Sequence, residues 1–157
     1  MTDSRPPHDG APATAPRFSY DCALRWSDMD AYGHINNARF LTLFEEARVA
    51  LMFSSARARG LSSFEAGVVV ARHEVDYLRP VDYDTKQSAL SPATVRIELW
   101  AEDIRRASFA IVYELFDRGV LASRARTVLV PYDLGAGRPR RLTEAERAFL
   151  ELYAATA

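Results

Sequence analysis

The stretch that most constrains the fold is residues 38–57. Apolar side chains recur there at spacings of three and four, which places them on one broad face of a helix. Gly60 is a suitable end point for this helix, and the sequence that follows reads mainly as strands. The helix is therefore expected to pack against a sheet. Its apolar residues are Phe40, Leu43, Phe44, Ala47, Ala50 and Leu51.

Five stretches have the alternation of apolar and polar residues that indicates strands. One precedes the helix and four follow it, and the last two are joined by Asp117-Arg118-Gly119, which has hairpin turn chemistry. Together they predict an α+β fold, in which a five-stranded, mostly antiparallel sheet wraps around the long helix. The predicted strands are Phe18–Trp26, Gly67–Leu78, Thr94–Asp103, Ala107–Phe116 and Val120–Val130.

Three segments lie outside this pattern. Residues 1–16 contain four prolines and no periodic apolar positions, so we expect a disordered tail. Residues 80–93 are too long for a tight hairpin and form either a mobile loop or a frayed strand end. After a domain at 17–133, residues 134–157 form a C-terminal extension with a short helix. Thr143 is its expected N-cap, and Glu146 stands in the capping-box position.

The composition sets broad limits on function. A chain of 157 residues, 48% hydrophobic and 26% charged, fits one globular domain. A net charge of −1 gives no electrostatic reason to expect nucleic acid or a membrane surface as partner. Cys22 is the only cysteine, so no intrachain disulfide can form, and no long apolar run is present. We therefore expect a cytoplasmic protein.

The link between the first strand and the helix, Trp26–Asn37, is crowded with polar residues, among them Asp28, Asp30 and His34. A carboxylate near a helix N-terminus can attack a carbonyl carbon or activate water, while unpaired helix N–H groups hold the oxyanion. Thioesters suit such a site because a thiolate leaves without a strong general acid. The link therefore predicts acyl-transfer chemistry.

Each of these residues also has a structural interpretation. Asp28 and Asp30 are suited to accepting hydrogen bonds from loop and helix N–H groups. His34 either orients Asp30 or the substrate, or is a polar turn residue. Glu45 and Glu46, two turns along the helix, either face a substrate cleft or are solvated or salt-bridged, for example with Arg48 or Arg39.

Other kinds of site are excluded by spacing. Asp28, Asp30 and Gly33 match the first, third and sixth positions of a calcium loop. However, the fifth position is Tyr32, and the twelfth, which requires a bidentate glutamate, is Arg39. No Cys or His cluster completes a transition-metal site, and no phosphate-binding loop or nucleophile elbow is present. We expect neither a metal nor a cofactor.

Two segments carry a family likeness: Arg25–Phe40, R-W-S-D-M-D-A-Y-G-H-I-N-N-A-R-F, and Phe44–Arg48, F-E-E-A-R. They resemble the signature of hot-dog-fold acyl-CoA thioesterases of the 4-hydroxybenzoyl-CoA thioesterase type. Val75–Val81 is similar to the family's second strand. Ile104–Phe109, I-R-R-A-S-F, is similar to a junction where the family often has I-G-R-S-S. The resemblance implies hydrolysis of an acyl-CoA to a carboxylic acid and free coenzyme A.

The resemblance also implies roles for individual residues. Asp30 matches the catalytic aspartate, as nucleophile or general base, and the Asn37 N–H polarises the thioester carbonyl. His34 assists positioning. The substrate-binding residues expected are Tyr32, Glu46, Arg105, Arg106 and Ser108.

Finally, the resemblance implies at least a homodimer, and often a homotetramer, with the sheets joined and each active site at a subunit interface. The run G-V-V-V-A at 67–71 fits this, because an exposed edge rich in β-branched residues is an aggregation liability. Two alternatives remain. One is a hydratase or dehydratase of the same fold with His34 as base; the other is a non-catalytic acyl-CoA-binding protein.

Overall fold

The computed structural model describes residues 16–154, apart from the side chains of residues 87 and 88. The tail predicted for residues 1–16 lies outside this range except for Pro16. Within the range, one long helix lies against a curled antiparallel sheet, which confirms the predicted hot-dog architecture.

The central helix spans Asn37–Val49, continues as a π-helical segment, Ala50–Ser55, and ends with the turn Ala56–Ala58. Its predicted apolar stripe is the face that meets the sheet. Gly60, at φ +79°, ends it as expected, because this left-handed conformation favours glycine. The buried residues of the stripe are Phe40, Leu43, Phe44, Ala47 and Leu51.

The sheet has the order β1-β3-β4-β5-β2, and every neighbouring pair is antiparallel. Buried and less buried residues alternate along β5 and much of β3, as the sequence pattern predicts. A two-residue strand, β6, adds to β5. The strands are β1 Phe18–Ala23, β2 Val68–Tyr77, β3 Thr94–Glu102, β4 Phe109–Asp117, β5 Val120–Asp133 and β6 Arg138–Pro139.

The predicted hairpin between β4 and β5 is confirmed as a two-residue turn. Asp117 pairs with Val120, and both turn residues, Arg118 and Gly119, have positive φ, the conformation that matches the strand twist. The connection at residues 80–93 is a loop rather than a frayed strand end, and it contains a short helix, Thr85–Ser88, that the sequence does not predict. A helix of four residues is too short to produce a helical periodicity that can be detected in the sequence.

The C-terminal extension packs into the same core. Its helix, Glu144–Glu151, begins with the predicted capping box between Thr143 and Glu146. Phe149 and Leu150 join the buried cluster beneath the sheet. No helix in the described range has the length and apolar character needed to span a membrane.

Candidate active site

The loop before the central helix is a tight hairpin with Asp30 at its base. Met29 and Ile35 form a bridge across it, and the Asp30 N–H donates to the His34 carbonyl at 2.7 Å. The turn closes through the Gly33 N–H, which donates to the Asp30 carbonyl at 3.1 Å. Gly33 adopts φ +81°, which explains a glycine at this position.

This hairpin is tied to the rest of the fold on two sides. The Ile35 N–H donates to the Val81 carbonyl at 2.7 Å, and the Asn36 N–H donates to the Asp28 carbonyl at 2.8 Å. Ile35 is itself buried in the core. These contacts fix the Asp30 backbone relative to the start of the central helix.

Asp28 has a structural role. It is buried, and one carboxylate oxygen accepts the Arg25 N–H at 2.8 Å, while the other lies 3.5 Å from Arg39 Nε. Both oxygens are therefore engaged in holding the loop. The interpretation of Asp28 as a loop-capping residue is correct.

Asp30 is only half-buried and is engaged on one side. Its Oδ1 accepts the Tyr32 N–H at 2.8 Å and the His34 N–H at 3.3 Å. No donor to its other oxygen is found among residues 16–154. The loop thus orients the carboxylate through one oxygen and leaves the second open for chemistry.

The central helix begins two residues beyond the Ile35 bridge that closes this hairpin, and its first residue carries an unpaired donor. Asn36 is the N-cap, and its side-chain oxygen accepts the Ala38 N–H at 2.9 Å. The Asn37 N–H has no acceptor within the described part of the chain. It lies at the positive end of the helix dipole, where a developing oxyanion is stabilised.

Tyr77, at the end of β2, supports this helix start. Its hydroxyl donates to the Asn37 carbonyl at 2.9 Å, and its ring meets Phe40 edge-on, with centroids 5.2 Å apart. Tyr77 lies in the segment that resembles the family, Val75–Val81, but its role at the helix start is not predicted from the sequence. The sequence signal for this role is only an aromatic residue at the end of a predicted strand. The contact itself cannot be read from the sequence, because the partner, Asn37, lies 40 residues away.

The other two loop residues face outward. The His34 ring lies 3.6 Å from Asp82 Oδ1, so its imidazole is directed at Asp82 and only its backbone contacts Asp30. Tyr32, at the turn tip, is 86% exposed. Among the described residues, no group of three or more His, Cys, Asp or Glu side chains is placed to hold a metal ion.

Glu46 faces a groove between β1 and the central helix. The buried Cys22 thiol donates to its carboxylate at 3.0 Å. Burial, and then Glu46, raise the pKa of Cys22, so this thiol stays protonated and is a poor nucleophile. It is the neighbouring Glu45 that forms the predicted ion pair with Arg48. The open groove has a volume of about 580 Å³ and is lined by Phe18, Tyr20, Glu46, Val49, Ala50, Ser54 and Ser55.

Arg105, Arg106 and Ser108 lie at the other end of the sheet from Asp30, in the turn between β3 and β4. At about 3.3 Å per residue, the nine residues of β3 span roughly 30 Å. The turn is fixed from outside by Arg147, whose guanidinium donates to the carbonyls of Ile104 and Arg105 at 3.1 and 2.8 Å. A single chain therefore does not bring these residues to Asp30.

Further arginines surround this turn. Arg138 and Arg141 are exposed and line an open groove of about 530 Å³ beside Ala107. Among residues 16–154, the guanidinium groups of these two and of Arg105 and Arg106 have no carboxylate partner. Four arginines without a carboxylate partner therefore lie at the end of the sheet opposite Asp30, where Asp133 lines the same groove.

Comparison with known proteins identifies the family. The model of the thioesterase-like superfamily matches residues 24–151, from the residue after β1 through the C-terminal helix. This chain belongs to the thioesterase-like superfamily. The match includes the Asp30 loop, the central helix and every later strand. No functionally curated protein matches the sequence.

Solved thioesterase structures share the fold. A predicted thioesterase from Bacillus stearothermophilus is 27% identical, with a TM-score of 0.73, covering 88% of this chain and 97% of that one. A thioesterase from Thermus thermophilus, complexed with coenzyme A and Zn, is 28% identical, with a TM-score of 0.68, covering 91% and 97%. A 1,4-dihydroxy-2-naphthoyl-CoA thioesterase from Synechocystis is 17% identical, with a TM-score of 0.69, covering 86% of this chain and 96% of that one. At this identity the likeness supports the fold alone.

Proposed function

We propose that this member of the thioesterase-like superfamily hydrolyses acyl-CoA thioesters at Asp30. The observation that carries the proposal is the pairing of a fixed carboxylate, open at one oxygen, with the unpaired Asn37 N–H at the start of the central helix. The Thermus thermophilus relative complexed with coenzyme A supports the choice of thioester.

The chemistry follows from these two groups. The open oxygen of Asp30 either attacks the thioester carbonyl carbon or takes a proton from a water that attacks it. Charge then develops on the carbonyl oxygen, where the Asn37 N–H donates a hydrogen bond. When the C–S bond breaks, the electron pair leaves with sulfur as a thiolate. Water supplies the oxygen of the carboxylic acid, directly or by hydrolysing an Asp30 anhydride.

We also propose that two copies pair through β2. This strand is at the sheet edge, and Val69, Val70, Tyr77 and Leu78 on or beside it are 37–49% exposed. Exposed backbone and apolar side chains on one edge are a template for strand pairing. A second copy, related by a two-fold axis, would pair with the exposed backbone groups and cover the exposed apolar side chains.

Pairing of this kind also joins the two separated parts of the site. In an antiparallel β2–β2 pair, the Tyr77 end of one strand lies beside the Val68 end of the other. The Asp30 end of one copy then approaches the basic end of its partner, which carries Arg105 and Arg106. Arginine binds phosphate through its planar fork, so this arrangement fits a coenzyme A held across the interface.

Thiol release from a panel of acyl-CoAs tests the activity. A thioesterase releases free coenzyme A and the acid in equal amounts. A hydratase adds water to a crotonyl-type thioester without releasing thiol, and a binding protein retains acyl-CoA without turnover. Either of the last two outcomes, with no thiol release from any substrate, contradicts the proposal.

Subunit mixing tests the shared site. D30N and the double variant R105A/R106A should each be defective alone, the second through a raised KM for acyl-CoA but not for the matching acyl-pantetheine. Refolding the two together should produce heterodimers with one intact site and restore acyl-CoA hydrolysis at low substrate concentration. No recovery from stable heterodimers would show that both parts act within one chain. Arg57, exposed and paired with Glu65, provides the control variant R57M.

A further inference from the structure

The open groove beside Ala107 is built mainly by the C-terminal extension, and we call it the extension groove. Its volume is about 530 Å³, and its polar lining residues are Asp133, Arg138, Arg140 and Arg141. Ligand sites of small molecules fall in this range of volumes, so a group the size of a nucleoside fits the groove. A lining that is mostly charged suits a polar ligand better than an acyl chain.

The backbone around the extension groove is held in place from two sides. β6 pairs with the end of β5, and the Arg140 N–H donates to the Pro131 carbonyl at 2.9 Å. The Leu142 N–H donates to the Arg106 carbonyl at 3.0 Å, which joins this segment to the turn between β3 and β4. The groove and the turn are therefore parts of one fixed surface.

Two of the three arginines in the groove carry a charge that is free to bind a ligand. Arg140 is occupied by the buried Glu146, with two contacts of 2.8 Å. Arg138 and Arg141 are exposed and have no carboxylate partner among residues 16–154. Asp133 is the acidic member of the described lining and offsets one of these charges. The remaining positive charge favours an anionic ligand.

Coenzyme A carries two separate anionic groups on its adenosine, a diphosphate at the 5′ position and a phosphate at the 3′ position. Arg138 and Arg141 line the groove, whereas Arg105 and Arg106 are on the adjoining turn and are not among its described lining residues. An adenosine lying in the groove would bring its 3′-phosphate to the first pair and direct its diphosphate toward the second. Each guanidinium matches phosphate through its planar fork.

We propose that the extension groove binds the adenosine 3′-phosphate of coenzyme A, with Arg138 and Arg141 as the phosphate-binding residues. The inference rests on the proposed thioesterase function. It deepens that function by giving the C-terminal extension a role in selecting the thiol carrier. Thioesters of coenzyme A are then preferred over those of 3′-dephospho-coenzyme A and of pantetheine, which lack the 3′-phosphate.

The experiment measures hydrolysis of one acyl group carried on coenzyme A, on 3′-dephospho-coenzyme A and on pantetheine. Wild-type KM should be about tenfold lower for the coenzyme A ester than for the dephospho ester, the effect of one charge-assisted hydrogen bond. R138M/R141M should remove this difference by raising KM for the coenzyme A ester alone, with kcat unchanged. Added salt should weaken the wild-type preference, because exposed charges are screened.

Two further arginine variants are matched controls. R105A/R106A, on the adjoining turn, should raise KM for both nucleotide esters and keep the difference between them. R57M, which removes an exposed arginine paired with Glu65, should change neither value.

D133N should act in the opposite direction to R138M/R141M. Asparagine keeps the oxygen that accepts the Ala136 N–H at 2.9 Å, so the turn should persist. Loss of the negative charge should lower KM for the coenzyme A ester more than for the dephospho ester. An equal change for both esters would contradict a phosphate in the groove.

Equal wild-type KM for the coenzyme A and dephospho esters would overturn the inference and leave the thioesterase proposal standing. A KM raised equally for all three esters by R138M/R141M would also overturn it, since a purely structural role gives that result. If no ester is hydrolysed, titration of free coenzyme A and 3′-dephospho-coenzyme A into wild type and R138M/R141M decides. Tighter binding of coenzyme A that the variant loses would retain the groove assignment and reject the thioesterase; equal binding would reject both.

Discussion

Two carboxylates at the starts of helices show how differently the same chemical group is used in this fold. Glu146, in the first turn of the C-terminal helix, is fully buried and saturated: Arg140 binds both oxygens at 2.8 Å, and the Thr143 N–H donates to one at 2.8 Å. Asp30, before the central helix, is half-buried, and two backbone N–H groups hold a single oxygen.

The difference separates a carboxylate that stabilises the fold from one available for reaction. Both oxygens of the buried Glu146 are engaged by Arg140, so this carboxylate holds the C-terminal segment against the core and is not exposed to substrate. Asp30 has just enough contacts to be oriented. Removing the two charges should therefore have different effects. Loss of the Glu146 charge should lower stability, and loss of the Asp30 charge should lower activity.

The largest expected effect is that of D30N on activity. Asparagine can keep the oxygen that accepts the Tyr32 and His34 N–H groups, so the loop should persist. It removes the charge needed for attack or for proton abstraction, and kcat should fall by about 10³- to 10⁴-fold. Thiol release under saturating acyl-CoA measures the loss.

Two further measurements decide the meaning of that loss. Urea unfolding of D30N should lie within about 1 kcal/mol of wild type, as expected where no buried group is left unpaired. E65Q, in an exposed ion pair on the far side of the fold, should change neither quantity. Retention of full activity by D30N would remove Asp30 from the mechanism.

The next effect in size is that of E146Q on stability. Glutamine keeps the volume but leaves the Arg140 charge without its partner in a partly buried site. Breaking such a pair costs about 3 kcal/mol or more. Denaturant unfolding should show this decrease, while kcat per folded molecule stays near wild type. A stability unchanged by E146Q would mean that the pair is no stronger than a surface ion pair.

The same pair predicts how stability depends on pH. Burial acts to raise the pKa of Glu146, but Arg140, Thr143 and Ser63 together hold it below its ordinary value of 4.5. Because the folded-state pKa is the lower one, the contribution is fully present above about pH 4.5. It is lost as the pH falls through the folded-state pKa.

The difference in unfolding free energy between wild type and E146Q should therefore be constant from pH 7 down to about 5 and shrink in more acidic solution. The two proteins share every other carboxylate, so the difference isolates Glu146. A difference that grew on acidification would contradict the assigned sign. The pH-dependent change in this free-energy difference should be smaller than the whole effect of E146Q, because acidification removes only part of the ionic contribution of Glu146.

The contrast between these carboxylates also shows which features are readable in sequence. The capping box at Thr143 and Glu146 is local, with partners three residues apart, and was predicted correctly. The central helix and the strands were predicted from one-face periodicity. Arg140, the decisive partner of Glu146, was not predicted, because nothing in the local pattern specifies a buried ion pair.

In the candidate site, too, some features can be predicted from the local sequence and others depend on contacts made only in the folded chain. Asp28 and Asp30 are two residues apart in one loop, and only the folded contacts distinguish the engaged carboxylate from the open one. The support from Tyr77 was missed because its partner, Asn37, lies 40 residues away. Arg48 was predicted as an ion-pair partner on the helix, but its hydrogen bond to Tyr113, 65 residues away, was not. The assignments of His34, Tyr32 and Glu46 to the substrate remain predictions.

The smallest effect is expected from Y77F, which tests whether the open geometry around Asp30 depends on support from β2. The change removes one hydroxyl that donates to the Asn37 carbonyl and leaves the ring against Phe40. Stability should fall by about 1 kcal/mol, the contribution of one hydrogen bond. If Tyr77 positions the first turn of the central helix, kcat should also fall, by about tenfold or less, with KM nearly constant, because the oxyanion contact strengthens in the transition state. Equal stability loss with unchanged kcat would limit Tyr77 to a packing role, and the carboxylate and helix start would then be rigid without it.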